Sequence, residues 1–204
     1  GLQPPLFSYA EYNIYHKGGN KKRLRDIMVN LEKYFHWLEK TCKQENGLYA
    51  TPLASVVMEN APRGEAVYLI DFNAQQAVNA LYMSAIGDIL NDKELSFRYK
   101  KEYFSLKTRI NSLMWNPEDG FYYDLDGSQK QIKKKTIAAY WTLLAEIPNE
   151  DKANTLISEL KNEKTFGTEN PFPSLSASDK DFSPKGEGCR SEERRVGKEC
   201  RSRW

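Results

Sequence analysis

The chain has 204 residues, 40% hydrophobic, 12% aromatic and 28% charged, with 30 basic and 28 acidic side chains for a net charge of +2. That length allows one domain with a sizeable core, and the absence of any run of about 18 apolar residues excludes a membrane-spanning helix. There is no phosphate loop, dinucleotide fingerprint or nucleophile elbow. The two histidines, His16 and His36, and the three cysteines, Cys42, Cys189 and Cys200, have neither metal-ligand spacing nor a disulfide framework. No metal and no cofactor is therefore expected.

Helical periodicity dominates from the start. Pro4-Pro5 followed by Leu6 to Gly19 reads as a helix with prolines near its beginning and glycines at its end. Leu24, Ile27, Met28, Leu31, Tyr34, Phe35 and Leu38 repeat at i, i+3, i+4, i+7 and predict a helix over about 21–43. Residues 44–70, with Gly47, Pro52, Pro62 and Gly64, read as a long loop. From Ala74 to Leu90 the apolar stripe is broad enough for a largely buried helix. The next helix, over about 93–114, has a Lys/Glu-rich face and is expected at the periphery. Asn116 to Gly120 signals a turn, Phe121 to Leu125 an extended segment, and Thr136 to Leu144 a short apolar helix. Ala153, Leu156, Ile157 and Leu160 mark a peripheral helix, and 172–188 reads as loop. The rhythm is one of helix pairs, one apolar and one more solvated, without a fixed-length repeat. It predicts an all-α fold.

Two stretches of charge need separate readings. Lys133-Lys134-Lys135 reads as a solvated run. The last fifteen residues, Arg190 to Trp204, carry six basic and three acidic side chains and leave a net charge of −1 on the rest. They have no apolar periodicity, and they resemble the in-frame translation of a sequencing-library adapter. The expectation is a non-native tail over 190–204 and a domain portion over 1–189. With the tail set aside no basic surface for nucleic acid remains, and no membrane partner is expected.

The chemistry-bearing stretch is Met58-Glu59-Asn60-Ala61-Pro62-Arg63-Gly64, in the long loop, where a carboxylate stands beside a rigid Pro, an Arg and a Gly. It resembles the Met-Asp-Asn-Ser-Pro-Arg loop of the trehalase-like clan of glycoside hydrolases, which includes families 37 and 63 and the mannosylglycerate hydrolases. Further likenesses follow in order: Gln3-Pro4-Pro5-Leu6, Gly47-Leu48-Tyr49, Ile70-Asp71-Phe72-Asn73-Ala74, Leu113-Met114-Trp115-Asn116 with Gly120-Phe121-Tyr122-Tyr123-Asp124, and Phe166-Gly167 with Pro173-Ser174-Leu175. The likeness covers residues 3–188.

The resemblance implies about three of the six hairpins of an (α/α)6 toroid, belonging to an inverting, exo-acting α-glycosidase with a carbohydrate substrate. It places the general acid at Glu59, where the family has Asp, and substrate contacts at Gln3, Asn60, Arg63, Asp71, Asn73 and Tyr122, with Asp124 a further candidate. Three of these have a plain structural alternative. Asp71 and Asn73 stand where a helix start would be capped. Arg63 stands where a salt bridge would hold the acid loop instead of touching sugar. The family's base carboxylate lies beyond a Tyr-Trp-Arg-Gly motif that this chain does not contain, so the chain alone is expected to be inactive. Two rival readings stay open: a sugar-binding relative that does not cleave, and a helical interaction scaffold that would scatter Gln3, Glu59 and Asp71. Periplasm and cytoplasm both remain open, as does the oligomeric state.

Overall fold

The computed structural model describes residues 2–56, 58 and 61–183; the expected tail over 190–204 lies outside them. Among the described residues six helices follow one another: α1 (Phe7–Gly18), α2 (Lys21–Cys42), α3 (Ile70–Leu90), α4 (Lys93–Leu113), α5 (Trp141–Leu144) and α6 (Glu150–Lys161). A two-stranded antiparallel hairpin, β1 (Trp115–Asn116) with β2 (Phe121–Tyr122), stands between α4 and α5.

Helix boundaries follow from local chemistry. Asn20, Asp92 and Asn149 each precede a helix and accept the backbone N–H three residues on, from Arg23, Leu95 and Lys152. Gly19 and Asn91 end α1 and α3 in the left-handed conformation, which Gly and Asn tolerate best. Thr136–Leu144 differs from the continuous α-helix expected: Ile137–Tyr140 is a 3-10 turn that runs directly into α5. The Thr142 hydroxyl donates to the Ala139 carbonyl at 2.7 Å, so a short side chain takes part in closing this segment.

The helices follow one another in three pairs, α1–α2, α3–α4 and α5–α6; the first two pack as hairpins, and α6 is joined to the turn before α5 by the Tyr140 hydroxyl, which donates to the Leu156 carbonyl at 3.1 Å. α3 is the central element and packs against α1, α2, α4 and α5. It is buried almost all round for its first three turns, from Ile70 to Ala80. α2 and α4 instead bury one stripe each, Leu24, Met28, Leu31, Phe35, Leu38 and Cys42 on the first and Leu95, Tyr99, Tyr103, Leu106 and Ile110 on the second. They form the outer layer. α3 and α4 approach each other closely where Gly87 faces Ser96. A Cβ on Gly87 would stand 2.7 Å from the Ser96 amide nitrogen and 2.9 Å from its Cα. Gly87→Ala should therefore destabilise the chain: overpacking costs about 1–3 kcal/mol, against at most about 1 kcal/mol gained in helix propensity. Thermal unfolding of the variant measures the difference.

Loop lengths give the assembly two unlike ends. The turns within pairs are short, residues 19–20, 91–92 and 145–149. The connections between pairs, 43–69 and 114–136, are long, as is the segment after α6. Since direction alternates along the chain, all the long segments lie at the end where α1, α3 and α5 begin. They are stitched together there: Tyr68 bridges to Leu125, and Thr136 to Leu175. Among the described residues no helix is long and apolar enough to cross a membrane.

Candidate functional site

The centre of the long-loop end is a buried cluster of three charges. Arg63, from the loop before α3, is 1% exposed. Its guanidinium spends four of its five N–H groups on two carboxylates. Nη1 and Nη2 donate to Asp71 at 2.8 and 2.7 Å, and Nε and Nη2 donate to Asp124 at 2.7 and 2.9 Å. Asp71 is the second residue of α3, and Asp124 follows β2. Burial opposes the charge on Arg63, but its hydrogen bonds to both aspartates and their negative charges outweigh that and hold its pKa above the usual arginine value.

Two carboxylates and one guanidinium leave a net charge of −1 in a place water does not reach. The start of α3 compensates. Ile70 N–H donates to Asp124 Oδ1 at 2.8 Å and Phe72 N–H to Asp71 Oδ1 at 3.0 Å. These are donors that a helix leaves unpaired in its first turn, and they form the positive end of its dipole. Leu69, which precedes the helix, has no side chain to cap it. Asp124 supplies that cap from a distant part of the chain.

The loop is held by its backbone as well. Val67 and Tyr68 both donate to the Leu125 carbonyl, at 2.9 and 3.1 Å, and Leu125 donates back to Tyr68 at 3.0 Å. Tight local bonds, Arg63 N–H to Ala61 and Ala66 N–H to the Arg63 carbonyl, shape the turn around the arginine. Residues 61–68 are thus fixed to the hairpin and to α3 together.

The other residues singled out by sequence take distinct places. Asn73 is fully buried. Its side chain accepts from Tyr49 N–H at 2.8 Å and donates to the Tyr49 and Leu69 carbonyls at 3.0 and 2.9 Å, so it welds the Gly47-Leu48-Tyr49 segment to α3. Tyr122 is buried too, and burial pushes its hydroxyl pKa up. The hydroxyl donates to Asn111 Oδ1 at 2.8 Å, on α4, an oxygen that Lys152 also reaches from α6 at 2.7 Å. Gln3 has an exposed side chain, and its backbone carbonyl accepts from the Tyr34 hydroxyl at 2.6 Å. Glu59 and Asn60 lie outside the described residues.

Arg63, Asp71, Asn73 and Tyr122 therefore have their polar atoms engaged within the protein, which fits the structural alternative for Arg63 and gives Asp71 and Asn73 more than a capping role. Sequence reading passed over an aromatic shelf beside Gln3: Tyr34 stacks on Trp37 with ring centroids 5.9 Å apart, and Phe7 meets Tyr34 edge-on at 5.5 Å. Tyr34 lies at the edge of the apolar stripe of α2 and Trp37, three residues on, is exposed beside it, a spacing that carries the signal. The lysine run is a correction at Lys134 and Lys135, while Lys133 stays exposed. Lys133 pairs with Asp119 at 2.5 Å, Lys134 with Asp179 and Asp181 at 2.7 and 2.6 Å, and Lys135 with Glu159 at 2.5 Å. Lys134 and Lys135 are half-buried, and the run ties the hairpin turn, the segment after α6 and α6 itself to one strand of chain. The partners lie 14 to 47 residues away, so no local pattern announces them.

Paired helices packed on a buried inner helix, α3, with the long loops gathered at one end over a charged cluster, describe part of a helical toroid. Residues 2–195 match the mannosylglycerate hydrolase MGH1-like glycoside hydrolase domain. The chain belongs to that family, and with it to the trehalase-like clan. An uncharacterized protein of Borreliella burgdorferi (strain ATCC 35210 / DSM 4680 / CIP 102532 / B31) is 50% identical over 184 residues, which is 90% of this chain and 39% of the relative. The chain thus spans about two fifths of the length of that curated relative. The structure resembles that of a glycoside hydrolase family 63 mannosylglycerate hydrolase from Thermus thermophilus in complex with glucose, with a TM-score of 0.78 and 19% identity, over 90% of this chain and 57% of the other. It also resembles a family 78 rhamnosidase of Bacillus sp. GL1, with a TM-score of 0.70 and 12% identity, over 78% of this chain and 17% of the other. The fold is all-α, a partial (α/α)6 toroid, and the domain is of the glycoside hydrolase kind.

Proposed function

We propose that this chain carries the general-acid side of the active site of an inverting, exo-acting α-glycosidase that hydrolyses small sugars or oligosaccharides. Glu59 is the acid in this reading, and the base is a carboxylate supplied by the rest of the full-length protein. The observation that supports it is the clamp on Arg63, which fixes the chain four residues after Glu59 to the start of the inner helix. A general acid must stand within hydrogen-bond reach of the glycosidic oxygen, and residues 61–68, which follow Glu59, are anchored to the hairpin and to α3. Inversion further needs the two carboxyls about 6.5–9.5 Å apart, so that a water fits between the base and the anomeric carbon.

Gln3 and Asn60 are the residues that touch sugar. Arg63, Asp71, Asn73 and Tyr122 are structural in this reading, with their polar atoms bonded within the protein. The aromatic shelf beside Gln3 suits the apolar face of a pyranose. The complex of the Thermus relative with glucose supports a sugar as the ligand class.

The test compares two proteins. The full-length form should hydrolyse α-glucosides or α-mannosides, trehalose and mannosylglycerate among them, and proton NMR should find the mannose released from mannosylglycerate first as its β-anomer. The chain of 204 residues alone should give no turnover. The α-anomer first would contradict inversion. Sugar binding without hydrolysis by the full-length form would favour the non-cleaving relative, which Glu59 in place of Asp already motivates.

A further inference from the structure

We infer that Asp124 is a positioning residue for the reaction, acting on the acid loop through Arg63. This rests on the proposed glycosidase reading. Among the described residues, Asp124 is the one group that touches all three parts whose relative placement sets the acid. Through Nε and Nη2 of Arg63 it holds the loop. Through the Ile70 N–H it holds the first turn of α3, where Leu69 supplies no cap. Its own backbone continues β2, and the next residue, Leu125, pairs with Tyr68 at the far end of the same loop. Asp71 shares the guanidinium, but it belongs to α3 and can report only where that helix is.

The division of labour follows. Asp71 gives Arg63 a fixed partner on the scaffold. Asp124 engages the other edge of the guanidinium fork, and so fixes its orientation as well as its position. A planar fork gripped on two edges has little freedom to rotate, whereas one gripped on a single edge can swing about it. A displacement of about 1 Å in a catalytic group lowers the rate about a hundredfold. The clamp has the stiffness to prevent that without touching substrate.

The test uses Asp124→Asn in the full-length protein. It should lower kcat about 10- to 100-fold on a glycoside whose leaving group needs protonation, since a displaced acid loses most of its effect. KM should change by less than about threefold, because the sugar contacts stand elsewhere. On a glycosyl fluoride, whose leaving group needs little proton assistance, the variant should approach the parent. Asp124→Glu keeps the charge but lengthens the arm, and should show the same leaving-group pattern to a smaller degree; it also serves if the Asn variant does not fold. Equal losses on both substrates, or a loss confined to KM, would overturn the inference. If the parent itself hydrolyses nothing, the glycosidase reading fails, and the clamp is then read by hydrogen exchange of the 204-residue chain. Ala66, Val67 and Tyr68 amides should exchange faster in Asp124→Asn while α2 and α6 stay protected. Unchanged protection at those three amides would overturn the positioning role whatever the activity.

Discussion

Arg63→Met should destabilise the chain by about 3–5 kcal/mol, the range seen when one partner of a buried ion pair is removed. The substitution leaves Asp71 and Asp124 facing each other in a dry site with only the N–H groups of Ile70 and Phe72 to answer two charges. Arg63→Lys should recover little. An ammonium is a point donor and cannot reach both carboxylates along two edges as the planar guanidinium does. The simultaneous replacement of Arg63, Asp71 and Asp124 by apolar residues should recover part of the loss, because no unpaired charge then remains buried. Recovery should be incomplete, since both aspartates also satisfy the first turn of α3. Urea unfolding of the three variants orders them. A single Arg63→Met variant as stable as the parent would mean that water reaches the cluster.

The second large effect belongs to Glu59. In the full-length protein Glu59→Gln removes the proton without changing the size of the side chain, and hydrolysis should fall about 10²- to 10⁴-fold, the usual contribution of a general acid. Glu59→Asp is the informative companion. If the loop sits where an aspartate would need it, the shorter side chain should match or exceed the parent. If the backbone has shifted to suit the extra methylene, the aspartate should fall about a hundredfold short, the cost of roughly 1 Å. Steady-state rates of the two variants separate these cases.

The fold was legible in this sequence wherever periodicity and end signals agreed. α2 and α4 show their single buried stripe at i, i+3, i+4, i+7, whereas the caps Asn20, Asp92 and Asn149, local as their chemistry is, emerge only in the structure. The segment over 136–144 was legible as apolar and helical, but its tighter first half depends on how Thr136 and Ile137 are drawn against Ser174 and Leu175, which no local pattern contains. The site divides the same way. The motifs around Arg63, Asp71, Asn73 and Tyr122 could be found because their order along the chain resembles a family. Which way the side chains point could not, because it is decided by partners far along the chain. Asp124 lies 61 residues from Arg63, and Asn73 lies 24 from Tyr49. Asp71, Asn73 and Tyr122 read as groups lining a pocket, and the structure bonds their polar atoms to partners within the protein. The lysine run was misleading for a related reason: Lys134 and Lys135 look solvated until each meets its own carboxylate from another element.

The clamp, the gathered loops and the family all bear on one claim, that the loop of Glu59 delivers a proton to a leaving group. The most direct measurement is the rate of Glu59→Gln relative to parent, in the full-length protein, on two substrates of the same sugar. On an alkyl glycoside or disaccharide the variant should be slower by at least about a hundredfold. On the corresponding glycosyl fluoride it should lie within about tenfold of the parent, because fluoride departs with little proton assistance. An equal loss on both substrates, or no loss on either, would contradict the account.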